Sequence, residues 1–136
     1  MPAATEAKPG VEKMEYILVY MTGAVLYGLL ELGWRGWTHW TMLLCGGACF
    51  LLMYLIALTA LPLWRKCVLS AAGISTVEFY TGCLVNLTLG WQVWDYSAMP
   101  LNLLGQICPS FLLLWLLLSL PGLWLCTLLR RAFKRR

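Results

Sequence analysis

The costliest residue in this chain is an acid set deep in apolar text, Glu78. It stands in the run from Cys67 to Gly90, and counting from Cys67 at about 1.5 Å per residue puts it near the centre of a bilayer-crossing helix. A carboxylate at that depth costs roughly 2.5–3.5 kcal/mol on insertion scales, so it needs a partner or a wet cavity. On helical spacing Ala71, Ser75, Glu78, Gly82 and Asn86 share one stripe, joining small residues to a carboxylate and an amide. Such a face cannot look at lipid. It suits either a site for a cation, a proton or an amine, or a packing seam whose acid specifies helix register.

A second acid, Glu31, lies shallower, near the end of the first apolar run and one turn before Arg35. The two can pair at i,i+4, either as a local interfacial ion pair or as part of a site shared with Glu78. Trp34, Trp37, Trp40, Trp91, Trp94 and Tyr96 crowd the two connections at that end, where amphipathic rings favour the headgroup region. Arg35, His39 and Asp95 interleave with them, so a roofed polar pocket over the bundle is one reading, and an aromatic belt with solvated charges is the plainer one. The stretch from Gln92 to Cys108 is too long for a tight turn and mixes Asp95, Ser97, Pro100, Asn102 and Gln106 with apolar residues. Pro100 blocks a continuous helix, and Asp95, Tyr96 and Ser97 favour local turns, so side chains must satisfy exposed peptide groups there.

Catalysis is the weakest reading: Asp95, His39 and Glu31 could lie near one another at the outer end, but no motif fixes a nucleophile, base and oxyanion site together. The six cysteines, Cys45, Cys49, Cys67, Cys83, Cys108 and Cys126, have neither a disulfide framework nor metal-ligand spacing, and they suit packing. Cys45 and Cys49 lie one turn apart, but no nearby His or carboxylate completes a ligand set, so no metal is expected. No H-E-x-x-H, serine-nucleophile or G-x-x-x-x-G-K-[ST] pattern occurs. No enzyme and no cofactor are expected.

The elements that must position these residues follow from composition. The 136 residues are 61% hydrophobic and 12% charged, so the solvent must be a lipid bilayer rather than water. With about 20 apolar residues per crossing, the length holds four spans and no soluble domain. Hydropathy places the spans near 14–34, 41–63, 67–90 and 109–129, in a single membrane domain over 1–136 with a polar tail at 1–13 and a basic tail at 130–136. The first residues lack the basic start of a secretory signal.

Of ten Lys and Arg, all but Arg35 fall on one side of these spans. The positive-inside rule then puts both termini in the cytoplasm of a cell-membrane protein. The net charge of +4 comes largely from Arg130, Arg131, Lys134, Arg135 and Arg136, placed to meet an anionic inner leaflet, so nucleic acid is not an expected partner. An internal echo runs through the chain. Thr22-Gly23, Gly33-Trp34-x-x-Trp37 and Leu61-Pro62 are matched at nearly constant spacing by Thr81-Gly82, Gly90-Trp91-x-x-Trp94 and Leu120-Pro121. The fold class expected is therefore an all-α integral membrane bundle of four transmembrane helices. Two tandem helical hairpins would explain the echo, and an interfacial, re-entrant-like loop precedes the fourth helix.

The run Trp94-Asp95-Tyr96-Ser97-x-x-Pro100-x-Asn102-x-x-Gly105-Gln106 resembles the signature of the bacterial ABC-transporter permease family of type IV, the CmpB-like group. Glu78-x-x-Thr81-Gly82 and Gly28-x-x-Glu31 are similar to its other recurrent acids, so the likeness covers most of the bundle. Gln106 stands where many members carry Arg, and a Gly-Pro, Cys-Pro and Tyr-Gly run that longer members have after the first span is missing, as in compact clostridial members. The resemblance implies a transport role. An ATPase partner is disfavoured on physical grounds, because Trp64, Arg65 and Lys66 make up nearly the whole second connection.

Two function classes follow. One is a transport or solute- and ion-binding component, in which Glu78 and Asn86 join Glu31 in a polar site and Asp95, Asn102 and Gln106 form an outer gate. Four helices enclose little volume, so a path also implies a homo-oligomer or another membrane partner. The other is a non-transporting interaction protein, an adaptor or lytic-type pore former anchored by the basic C-terminal tail.

Overall fold

In the computed structural model, which describes residues 9–135, the chain is an all-helical bundle with no strand among the described residues. Helix α1 spans Pro9–Arg35, α2 Trp40–Ala57, α3 Leu63–Gly82 and α4 Pro109–Lys134, and a wider π-helical stretch, Cys83–Thr88, prolongs α3. All four, with α3 taken through its extension, are long and apolar enough to cross a membrane. Most of the expected polar tail before Pro9, and Arg136 of the basic tail, lie outside the described residues.

Local chemistry sets the helix ends. Helix α1 starts at Pro9 rather than near Met14, since proline gives up nothing in a first turn whose N–H groups have no partner. It stops at Gly36, whose φ of +75° suits only a residue without Cβ and whose N–H closes on Leu32 O at 3.0 Å. His39 caps α2, accepting at Nδ1 from the Thr41 N–H (3.3 Å). Helix α2 ends at Ala57, short of Leu63, because Pro62 holds its own neighbourhood extended and serves as the cap before α3. Lys66 Nζ donates to the freed Ala57 carbonyl at 2.9 Å. Helix α4 runs on through Arg130, Arg131 and Lys134, drawing the expected basic tail into its last turns, where cations suit the negative end of the helix.

Helix α2 is the hub: α1 packs along it, α3 and α4 both touch it, and α3 packs on α4. The α1–α2 seam is built on glycine. A Cβ on Gly46 would strike the Tyr27 side chain, one on Gly23 would strike Phe50, and one on Gly47 would enter the Tyr20 ring. Without a hydrophobic force between helices in lipid, this close approach supplies the dispersion contact that holds the pair. Tyr20 adds a hydroxyl bond to Leu44 O at 2.7 Å.

The echoed residues take different places in the two hairpins. Gly23 meets α2, whereas Gly82 meets Trp94 and Gln106 of the long connection. Pro62 precedes a helix, whereas Pro121 lies inside one.

The backbones of α1 and α4 do not run close along their length; α1 is tied to α4 at one end and to the α3–α4 connection at the other. At the end carrying the termini, Glu15 Oε1 accepts from Arg130 Nη1 (2.6 Å) and from the Tyr54 hydroxyl. At the opposite, loop end, Arg35 Nη1 donates to Val93 O at 2.7 Å. Between these clamps lies an open groove.

The glycine seam predicts that Gly46→Val lowers stability by about 1–3 kcal/mol through overpacking. Gly33→Ala, where an added Cβ meets nothing within 4 Å, should leave stability level or raise it by up to about 1 kcal/mol. Reversible unfolding in mixed micelles measures both.

Candidate functional site

The inward stripe of α3 carries the deep acid as its spacing requires. Ala71, Ser75, Glu78 and Gly82 are buried and Asn86 is half-buried. Glu78 is 2% exposed, and its Oε2 accepts from Trp115 Nε1 of α4 at 2.8 Å. Trp115 also stacks on Tyr27 of α1, ring centres 5.9 Å apart. One indole thus bonds the acid and reaches across the space between α1 and α4.

That space is a cleft in two contiguous parts. The outer part, about 440 Å³, is lined among others by Tyr27, Glu31, Arg35, Trp94, Tyr96 and Trp115. The inner part, about 410 Å³, continues past Tyr27, Trp115 and Leu118 to Pro121, Gly122 and Leu125. Its walls are mostly apolar. The polar groups gather at the loop end, where Arg35 Nε meets Glu31 Oε2 and the guanidinium lies 4.0 Å from the Trp37 ring centre. Arg35 Nη2 is buried with no hydrogen-bond partner among the described residues.

The remaining polar residues are committed to the long connection, 89–108. The π-helical stretch carries Asn86, whose Oδ1 accepts from Val93 N (2.7 Å) and Trp94 N (3.4 Å) and whose Nδ2 donates to Gln106 Oε1 (2.8 Å). Gln106 donates from Nε2 to Leu104 O (2.9 Å), and its carbonyl accepts from Trp94 Nε1 (3.0 Å). Asn102 Nδ2 holds the carbonyls of Ser97 and Met99, and its Oδ1 takes the Gly105 N–H at 2.9 Å. Asp95 Oδ1 takes the Ser97 N–H at 2.8 Å. That amide, joined by the Ser97 side chain, holds the Asp95 carboxyl below the usual carboxylate range.

These bonds sustain a strained course. Gln92, Leu101 and Leu104 have φ of 49°, 56° and 54°, each costing on the order of 1–3 kcal/mol. Gly90 and Gly105 take φ of +68° and +71° freely. Pro100 lies in the turn that follows Tyr96 to Met99, closed by Met99 N to Tyr96 O at 2.8 Å. Tyr96 stacks on Phe111 with ring centres 4.5 Å apart, and burial pushes its phenol above the ordinary range.

The residues singled out above therefore fall into three places. Glu31, Trp94 and Tyr96 line the cleft, and Glu78 sits behind its Trp115 wall. Asn86 and Gln106 bond each other and fasten the connection to α3. Asp95, Ser97, Pro100, Asn102 and Gly105 shape the connection itself, and the hydrogen bonds of Asp95 and Asn102 go to its backbone rather than to an open gate. His39 caps α2 and lies among the rings of Trp40 and Trp91.

Two partners escaped the sequence reading. Trp115 had a signal: with Trp124 it stands within the apolar run 109–129, apart from the rings that crowd the two outer connections. Glu15 had one as well, since Glu15, Val19, Gly23, Tyr27 and Glu31 recur every fourth residue on the inner face of α1.

Four helices long and apolar enough to cross a membrane, with a lateral, polar-mouthed cleft, define a multi-pass membrane protein. Residues 16–134 match the family model described as "Putative ABC-transporter type IV", and the chain belongs to that family. Neither curated proteins nor solved structures gave a match.

Because Asn86 satisfies Val93, Trp94 and Gln106 at once, Asn86→Ala should cost about 1–3 kcal/mol from the stranded polar groups. Hydrogen exchange should then quicken across 93–107 while α1 and α2 stay protected. The Asp95 turn sets a pH window. Its folded-state pKa is depressed, so its contribution is present above the unfolded value of about 3.9 and is lost as pH falls through the lower folded value. Tryptophan fluorescence from the connection should therefore hold steady down to about pH 4 and change only below it.

Proposed function

We propose that this chain is the membrane-embedded solute- or ion-binding component of a transport system and not an enzyme, working in the cell membrane with both termini cytoplasmic. The observation that carries the reading is Glu78, an acid at mid-span with a single indole donor whose ring is also the wall of the cleft. A structural acid gains little from a position that costs so much in lipid. A functional one gains a link, because anything that enters the cleft and turns Trp115 changes the hydrogen bonding of Glu78.

Glu31 and Arg35 sit at the mouth, where a charged or polar group arrives first. Asn86, Asp95, Asn102 and Gln106 serve the site indirectly, by holding Trp94 and Tyr96 in place as its outer wall. The α2–α3 connection, residues 58–62, is short and offers little surface for an ATPase, so a second copy or another membrane protein is the partner this reading favours.

Glu78→Gln keeps an acceptor oxygen for Trp115 and removes the charge, so the bundle should assemble unchanged. In proteoliposomes loaded with a pH-sensitive dye or a monovalent cation, the substitution should reduce flux at least tenfold, about 1.4 kcal/mol or more. Flux equal to that of the unsubstituted chain would sink the role of Glu78.

A further inference from the structure

The chemistry of the cleft narrows what it can hold. This step rests on the reading of the cleft as a binding site and names its ligand class. Over Tyr27–Arg35, about 12 Å of α1 at ~1.5 Å per residue, a volume of 440 Å³ leaves a cross-section of roughly 35–40 Å². A flexible hydrocarbon chain fits.

Length agrees with width. The two parts of the cleft run from Arg35 to Gly23 along α1, about 18 Å. One leaflet of an apolar core of ~30 Å is about 15 Å deep. The cleft thus starts at the interface, where Trp34 and Arg35 lie, and ends just past mid-membrane between Gly122 and Leu125. Its walls offer Leu29, Leu30 and Leu118 to a chain lying along it. Only the mouth offers charge: Arg35 forms an ion pair with Glu31 through Nε and donates from Nη1 to Val93 O, while its Nη2 has no partner among the described residues. A long apolar slot with a spare guanidinium N–H at its interfacial end matches an acyl chain attached to an anionic oxygen.

We propose that the α1–α4 cleft holds one acyl chain of a glycerophospholipid from the leaflet on the Arg35 side, with the lipid phosphate at Arg35. Glu15 with Arg130 ties α1 to α4 at one end and Arg35 with Val93 ties α1 to the α3–α4 connection at the other, so the cleft is bounded at both ends.

The test is lipid retention. Purified full-length protein is washed in a delipidating detergent, titrated with palmitoyl-oleoyl-phosphatidylglycerol and examined by native mass spectrometry, with oleate alone as a parallel titrant. The unsubstituted chain should retain one phospholipid per subunit, in preference to oleate. Leu118→Trp and, from the opposite wall, Leu30→Trp should each weaken retention about tenfold, the equivalent of two methylenes lost from burial. Circular dichroism and gel filtration identify any variant that misfolds, and the second variant then carries the comparison. Equal retention in both folded variants would overturn the site, and equal affinity for oleate would overturn the phosphate contact. A dimer that both tryptophans dissociate would overturn it in favour of a second copy. Retention is read without flux, so an inert Glu78→Gln would sink the transport reading and leave this one standing, whereas a lipid-free chain that still transports would do the reverse.

Discussion

Everything at the loop end of this molecule depends on the side-chain amide of Asn86. A bilayer offers no partners to peptide groups, so non-helical backbone beside it must be satisfied from within the chain. The connection between α3 and α4 is such a segment, and three of its residues sit in left-handed backbone. Asn86 answers with both ends of its amide, taking the Val93 and Trp94 N–H groups and donating to Gln106. The π-helical turn is what brings it there. A wider turn with its larger radial step re-aims the last residues of α3 toward the connection, a common use of such insertions near functional sites. With Val93 fixed, its carbonyl becomes a stationary acceptor for Arg35, and α1 is tied to the rest of the bundle at that end.

The second tie, at the end of the termini, works on the same terms. Arg130 and Tyr54 converge on Glu15, which is nearly buried. These two ties hold α1 to α4 at one end and to the connection at the other, with the stacked rings of Tyr27 and Trp115 meeting between them. A pair of helices held this way leaves a gap whose walls are mostly apolar and whose charged groups, Glu31 and Arg35, gather at the loop end. Glu78 lies behind one wall, shielded by Trp115 and not open to the gap. The structure thus separates the costly acid from the cleft by a single side chain, which bonds the one and lines the other.

How much of this was legible in the sequence varied with the kind of signal. Hydropathy located the four apolar runs, because about 20 apolar residues in a row have few other uses. The depth of Glu78 and its stripe with Ser75 and Gly82 followed from helical spacing alone. Helix ends were less legible where a single proline or glycine outweighed hydropathy, as at Pro9 and Pro62, or where an apolar count stopped at charges that the helix carries on, as at Arg130. The connection's motif was visible as a string of polar residues. Its job was not, because a string gives no sign of whether an amide faces a ligand or its own backbone. Pairings across the bundle, Glu15 with Arg130 and Glu78 with Trp115, join residues far apart in sequence and could be seen only once α1, α3 and α4 were placed around α2.

The central claim is that α1 and α4 stand apart along a groove open to the bilayer, and oxygen accessibility along α4 tests it directly. Single spin labels at Leu117, Leu118 and Ser119, in nanodiscs, sample in turn the exposed face, the groove and the core, where Ser119 is fully buried. The account predicts that oxygen, which concentrates in lipid, relaxes the label at Leu118 nearly as strongly as that at Leu117. A label at Leu118 as shielded as that at Ser119 would mean that α1 and α4 close on each other in the membrane, and would contradict it.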